Sequence, residues 1–447
     1  MRAAIAFALV MAICWALPGA AVGKSRTLTM RFGPVHIGGY QTRTGTDATR
    51  APRLNGFVTA MHAHVVDRAG RPVPQQRVML HHVFFTNQDH GGPGDCRPAR
   101  SQAFYGTGEE HQAIVFPPRF GYRVSRDDRW KVGWMFMNHR HTPAKVYLEY
   151  TVRVSDQALS PVTPYWISVS CAPSKIYSVP GGGSPAATHR RSRTWVAPRS
   201  GWIVAAGAHA HGGALRVSVW TRCGRLLSSE ARYGTADDPI YKLSPILHEP
   251  APRSMSVVTS ARGWPVRKGD RLRVTSTYSA AAPHSAVMGI MHLYIAPGAT
   301  RTERCPAPPR DVQTHRLRFP GFPGRDQPPL VTPQLSTVNN DGIARPITGP
   351  LAGPLRTLAG NATVAVRDVA FSPRRLSIPS GASVRWRFRD PIRHDVTLAA
   401  GPRAFASGYL SRGDAYRTRL TVPGEYRIFC SLHPVTMAQT IEVRAAG

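Results

Sequence analysis

Three soft donors stand within eight residues near the C-terminus: Cys430, His433 and Met437, in Tyr426-Arg427-Ile428-Phe429-Cys430-Ser431-Leu432-His433-Pro434-Val435-Thr436-Met437. A thiolate, an imidazole and a thioether so close together suit copper. One cysteine, two histidines and a weak axial methionine make the blue-copper arrangement, in which the thiolate supplies covalency for electron transfer and the thioether favours Cu(I). The second imidazole must come from an earlier loop. His394, in Asp390-Pro391-Ile392-Arg393-His394-Asp395-Val396, follows an alternating strand at a suitable distance.

Upstream, histidines come in pairs: His81-His82, His139-Arg140-His141 and His209-Ala210-His211, each flanked by apolar residues. Residues two apart on a strand share a face, so His209 and His211 can close on one ion. Adjacent residues point to opposite faces, so His81 and His82 can both bind only at a strand end or a bulge. Buried imidazoles repel one another when protonated, which favours neutral, metal-bound rings. A further pair, His62-Ala63-His64, is left unassigned, and His141 reads as a neighbour of the ligands.

The elements that must carry these residues are strands. Short alternating runs broken by Gly, Pro and Asn/Asp fill the chain, and a helical period is almost absent, so the fold class is all-β. In Val384-Arg385-Trp386-Arg387-Phe388-Arg389 one face is apolar and the other arginine, a half-buried strand. A 447-residue chain exceeds one core. The expected organisation is a sandwich over 24–175, a second over 176–297, a proline-rich linker over 298–357 and a C-terminal domain over 358–447. Eleven prolines between Gly298 and Pro354 predict extended, semi-rigid backbone for the linker.

The C-terminal segment resembles a cupredoxin of the plastocyanin kind: C-x2-H-x3-M after Pro423-Gly424-Glu425-Tyr426, with Phe371-x-Pro373, Gly381 and Val384-x-Trp386 before it. That resemblance implies a Greek-key β-barrel with a type 1 copper. From about Leu28 to Ala296 the chain is similar to the copper type II, ascorbate-dependent monooxygenases, the family of peptidylglycine hydroxylating monooxygenase and dopamine β-hydroxylase. It implies two tandem antiparallel, jelly-roll-like sandwiches, each holding one type 2 copper. His81, His82 and His139 would bind the electron-storing ion. His209, His211 and a methionine would bind the oxygen-activating one and carry catalysis. Met288 and Met291 both fall in the methionine's segment, and Met288 is favoured because it follows the polar turn. The peptide hydroxylase has an arginine two residues before its H-x-H where Gly207 stands here, which disfavours a peptidylglycine substrate.

Arg2, the apolar run Ala3 to Leu17 and the small residues up to Gly23 form a secretory signal over 1–23, with cleavage after Ala21 or Gly23. The mature chain is then expected outside the cytoplasm, without a transmembrane segment. Cys96, Cys171, Cys223, Cys305 and Cys430 remain, an odd number in an oxidising compartment. With Cys430 kept for metal, Cys96–Cys171 and Cys223–Cys305 is the pairing that a boundary near 175 favours out of three. The formal charge of +32 comes from scattered arginines, without a nucleic-acid-binding motif, so nucleic acid is not an expected partner. The leading expectation is a secreted three-copper enzyme that hydroxylates a C–H bond of a small organic substrate with O2. Its electrons would come from ascorbate, another reductant or a redox partner protein, by way of the cupredoxin. The alternative is a non-catalytic exported copper-binding or electron-transfer protein.

Overall fold

Strands form nearly everywhere in the computed structural model, which describes residues 24–171, 174–298, 305, 307–317, 324–329 and 331–445. The expected signal over 1–23 lies outside the described residues. One short 3-10 turn, Pro239–Lys242, is the only helical element among them. The all-β class therefore holds.

In the first sandwich, a sheet built on Ser25–Ile37, Ala144–Ser155, Gly56–Val66 and Phe120–Val124 faces a four-stranded sheet ordered Thr42–Thr49, Trp130–Asn138, Val78–Asn87, Gln102–Gly108. Ala144–Ser155 shows how sequence makes the layer. Its Val146, Leu148, Tyr150, Val152 and Val154 point inward and pack against Leu80, Phe85 and Phe136. Each such side chain contributes about 1.5–3 kcal/mol of burial.

The second sandwich opposes the sheet Thr163–Ser168, Gly289–Pro297, Gly201–Ala210, Val257–Val266, Gln313–His315 to one built on Thr188–Val196, Arg271–Ser279, Ala214–Thr221, Gly224–Arg232 and Ser254–Met255. The chain enters this sandwich with Thr163–Ser168, ahead of residue 175. Gly201–Ala210 is buried on both faces, which explains its run of small residues. Ala206, Ala208 and Ala210 join the second core, while Val204 and Ala205 join the first. The two cores thus meet across one strand. An added Cβ at Gly207 would stand 2.5 Å from Oε1 of Gln112, so the Gln112 side chain would have to shift to admit one.

The C-terminal unit has two sheets: Leu355–Thr357, Arg375–Pro379, Ala438–Arg444, Gly424–Phe429, Thr397–Ala400, and Ala370–Ser372, Ala362–Arg367, Ser383–Phe388, Ala415–Arg419. This corrects the expected barrel. The sheets stay separate and end at open edges, with parallel pairs such as Arg375–Pro379 with Ala438–Arg444 inside them. Ser383–Phe388 buries Val384, Trp386 and Phe388 and exposes Arg385 and Arg387, as its alternation predicts.

The proline-rich segment packs rather than hangs free. Gln313–His315 pairs with Val257–Val266. Leu335 and Leu351 cluster with Ala399, Phe429 and Ala438 of the C-terminal unit. Ala344 joins Tyr40, Met79, Met137 and Leu247, and Val435 packs against that group from between His433 and Met437.

Cys96 bonds Cys171 and Cys223 bonds Cys305, and Cys430 is a buried free thiol. Among the described residues no helix is long and apolar enough to cross a membrane. Two disulfides fit an oxidising, extracytoplasmic compartment. Replacing Cys96 and Cys171 together by serine should lower the unfolding free energy by roughly 2–5 kcal/mol in denaturant titration, because the bond closes a long loop of the unfolded chain.

Candidate metal centres

The C-terminal ligand set lies where two loops meet at one end of the unit. Sγ of Cys430 is 3.6 Å from Nδ1 of His433 and 3.8 Å from Nδ1 of His394, and the two imidazole nitrogens are 3.2 Å apart. Met437 is fully buried in the same core as Cys430. Backbone bonds pre-form the ligand loop: Cys430 N–H donates to Met437 O at 3.2 Å, and Met437 N–H to His433 O at 3.1 Å. A second set pins it to the His394 loop. Asp395 N–H points at Cys430 Sγ at 3.5 Å, and Ser431 N–H donates to Asp395 Oδ1 at 2.7 Å. His394 holds Asp390 Oδ2 through Nε2 at 2.8 Å, which leaves Nδ1 for a metal. Burial, then the neighbouring Asp395 carboxylate, pushes the Cys430 thiol well above its ordinary range. A thiolate there needs a cation beside it, which a bound metal ion would supply.

The upstream histidines gather between the two sandwiches. Val78–Asn87 carries a bulge against Trp130–Asn138: Leu80 faces Phe136 and His82 faces Met135, so His81 is the extra residue. The bulge turns both rings to one side, with centroids 4.1 Å apart. His209 is the penultimate residue of the strand Gly201–Ala210 and His211 follows its end. Nε2 of His82 and Nε2 of His211 approach to 3.2 Å. His81, His82 and His211 offer ligand atoms within 4.8 Å of one another. The sets expected to hold two separate ions therefore adjoin, and this trio draws from both. The His209 ring is 4.9 Å from His82 and 5.2 Å from His211. His139 is buried beside the cluster but outside the trio, and exposed His141 takes no part.

Three rings are anchored through Nδ1: His81 by Glu109 at 3.2 Å, His209 by Glu110 at 3.0 Å and His211 by the Ala286 carbonyl at 2.9 Å. Such anchoring frees Nε2 for a ligand. Nε2 of His209 and both nitrogens of His139 are buried without a partner among the described residues. Burial, then neighbouring imidazoles, holds His81, His82 and His211 well below the ordinary histidine range and His139 at about 4. For His209 burial works downward, but Glu110 outweighs it and the net shift is upward. Inward-turned imidazoles, with His139 and Nε2 of His209 left without a partner among the described residues, fit metal binding.

Met288 sits in the break before Gly289–Pro297 and lines the same cavity as His82, His209 and His211. Met291 is fully buried in the core of the second sandwich. Sequence reasoning missed Glu109, Glu110 and His248. His248 binds Glu109 Oε1 through Nε2 at 3.0 Å, and with His81 and Glu109 it forms a second potential ligand group. The available signal was two adjacent acids, Glu109-Glu110, in a chain with few acids.

The model of one protein family, described as stress up-regulated Nod 19, matches residues 125–298. That span includes His139, His209, His211 and Met288, but neither His81-His82 nor the C-terminal unit. It is not the monooxygenase family that the motifs resemble. No curated protein matches. Among solved structures, a Cu(I) amicyanin mutant is 22% identical, covering 19% of this chain and 83% of that one, with a TM-score of 0.17. A reduced amicyanin mutant is 25% identical over 19% and 83%, with a TM-score of 0.18. A purple cupredoxin from Nitrosopumilus maritimus is 25% identical over 19% of this chain and 100% of that one, at 0.18.

His292 provides a pH test. Burial, then His209, lowers its pKa from 6.5 to about 3. Between those values the unfolded chain binds a proton that the folded protein excludes, so stability falls as pH drops, by about 1.4 kcal/mol per unit for this group. His292→Phe should flatten the pH dependence of unfolding of the metal-free protein by one proton near pH ~5–6. For the methionines, Met291→Ala should cost roughly 2–5 kcal/mol in denaturant titration and Met288→Ala about 1 kcal/mol, since only Met291 lies in the close-packed core.

Proposed function

We propose that this chain is an exported copper-binding electron-transfer protein, with a type 1 copper held by His394, Cys430, His433 and Met437 and further copper held by the histidine cluster. One observation carries the reading: a buried free cysteine lies against two imidazole nitrogens, in a loop whose backbone bonds already shape it. Copper there would supply reversible one-electron chemistry through its thiolate bond. The chain's own residues set the conditions. Asp390 orients His394, Asp395 N–H donates toward the sulfur, and Met437 closes the site from within the core. At the cluster, Glu109, Glu110 and the Ala286 carbonyl aim His81, His209 and His211 inward. The packed segment around Leu335, Ala344 and Leu351 keeps the two regions adjacent rather than loosely tethered.

A second reading is a copper monooxygenase acting on a C–H bond of a small substrate with O2, driven by ascorbate or another reductant. It is favoured by the cavity of about 540 Å³ on which His82, His209, His211 and Met288 open. Oxygen consumption by the copper-loaded protein with ascorbate separates the two, and stimulation by an added organic substrate would select the second.

The oxidised, copper-loaded protein should be intensely coloured through thiolate-to-copper charge transfer, and Cys430→Ser should abolish the band. His82→Ala should leave the band intact and lower copper by about one per chain in metal analysis. A colourless copper-loaded parent would refute the type 1 assignment.

A further inference from the structure

Glu109 is 2% exposed, and its only ion-pair partners among the described residues are two imidazoles. Nδ1 of His81 lies 3.2 Å from its Oε1, and Nε2 of His248 lies 3.0 Å from the same oxygen. A carboxylate taken out of water normally faces an arginine, a lysine or a metal ion. Among the described residues neither of the first two pairs with this one, although the chain carries +32.

The group draws on both sandwiches and is held in shape by its surroundings. Glu109 follows the strand Gln102–Gly108 of the first, and the Gln75 side-chain amide donates to its backbone carbonyl at 2.7 Å. His248 comes from a loop of the second, between Pro239–Lys242 and Ser254–Met255. Two bonds clamp that loop: Glu249 Oε1 meets Nδ1 of His284 at 2.6 Å, and Ala251 N–H donates to Oε2 of Glu109 at 3.1 Å. One carboxylate oxygen is thus fixed by a backbone amide while the other is turned toward two nitrogens, which is how ligating carboxylates are supported. His81, Glu109 and His248 offer ligand atoms within 4.8 Å of one another. Tetrahedral bonds of about 2.0–2.2 Å need neighbouring ligand atoms roughly 3.3–3.5 Å apart, and the 3.0 and 3.2 Å separations fall within about 0.5 Å of that.

We propose that His81, Glu109 and His248 form a second metal site, for a divalent ion of the zinc or copper(II) kind, joined to the trio of His81, His82 and His211 through the His81 ring. Two nitrogens and a carboxylate, without sulfur, suit such ions and offer Cu(I) nothing soft. Nδ1 of His81 faces Glu109, so Nε2 is the atom left for the trio. Neutral His81 carries one ring proton; with both nitrogens taken, that proton passes to solvent and the ring bridges the two ions. Glu109 is then an anchor of His81 in the metal-free protein and a ligand in the loaded one. His81 and His248 line the cavity and Glu109 does not, which leaves the cavity side for a fourth ligand. The inference rests on the reading above only in taking His81 as a ligand of the trio.

The test is the zinc(II) bound per full chain, by equilibrium dialysis and metal analysis, zinc serving as the probe because it has no redox chemistry. His248→Ala and His82→Ala should each lower bound zinc by about one per chain, and the two together by about two, because each removes a different ion. His81→Ala should lower it by about two, since its ring serves both. Glu109→Gln, which keeps an acceptor for His81 and deletes the charge, should match His248→Ala and carries the expectation if that variant does not fold. Near-UV circular dichroism checks the packing of each. Unchanged zinc in His248→Ala and Glu109→Gln, or a double variant that loses no more than His82→Ala alone, would overturn the inference. Either result with the thiolate-to-copper band present leaves the type 1 reading standing, whereas the expected zinc losses without a band remove that reading and leave the second site.

Discussion

A buried imidazole is tolerable while neutral and expensive once protonated, and at the junction of the two sandwiches at least five rings share one low-dielectric space. Much of the surrounding architecture answers that constraint. Glu109 and Glu110, both buried, take the Nδ1 sides of His81 and His209. The Ala286 carbonyl takes that of His211. Each anchor fixes a tautomer and points the remaining nitrogen at its neighbours, so the mutual repulsion that would eject protons also prepares a set of donors for a metal. The bulge at His81 and the small-residue strand leading to His209 are the backbone devices that let rings from two sheets come this close.

The C-terminal unit obeys a parallel rule with a different donor. Its thiol is buried, and desolvation opposes ionisation, so the loop is organised in advance by backbone bonds and by Asp390 and Asp395. The two regions are joined through packing. Val435, between His433 and Met437, rests against Met79 and Met137, and Met79 stands two residues before His81.

Much of this was legible in the sequence. Alternation in Lys145 to Val154 and Val384 to Phe388 identified strands and their buried faces, the adjacency of His81 and His82 called for a strand end or a bulge and a bulge is present, and the expected cysteine pairs form although the second sandwich starts at Thr163, before the boundary that suggested them. What sequence did not give was the meeting of His82 with His211, 129 residues apart, since spacing reports faces within a strand but not which strands from different sheets converge. Glu109, Glu110 and His248 were missed for the same reason: their partners are spatial and follow no local period. The proline-rich segment was read from composition as a spacer, yet Leu335, Ala344 and Leu351 within it are apolar anchors. The closed barrel also failed, because alternation fixes which residues face inward and is silent on whether a sheet's edges join.

That packed segment has a practical corollary for how the molecule can be divided. Phe429, Ala399 and Ala438 are covered by its leucines, and Tyr409 and Leu398 face the histidine cavity, so excising the C-terminal unit would lay bare apolar area on both cut faces. Surfaces of that kind drive self-association. A C-terminal unit transplanted on its own would have to bring along cover for Val435, Tyr409 and Phe429, whose partners lie in the rest of the chain.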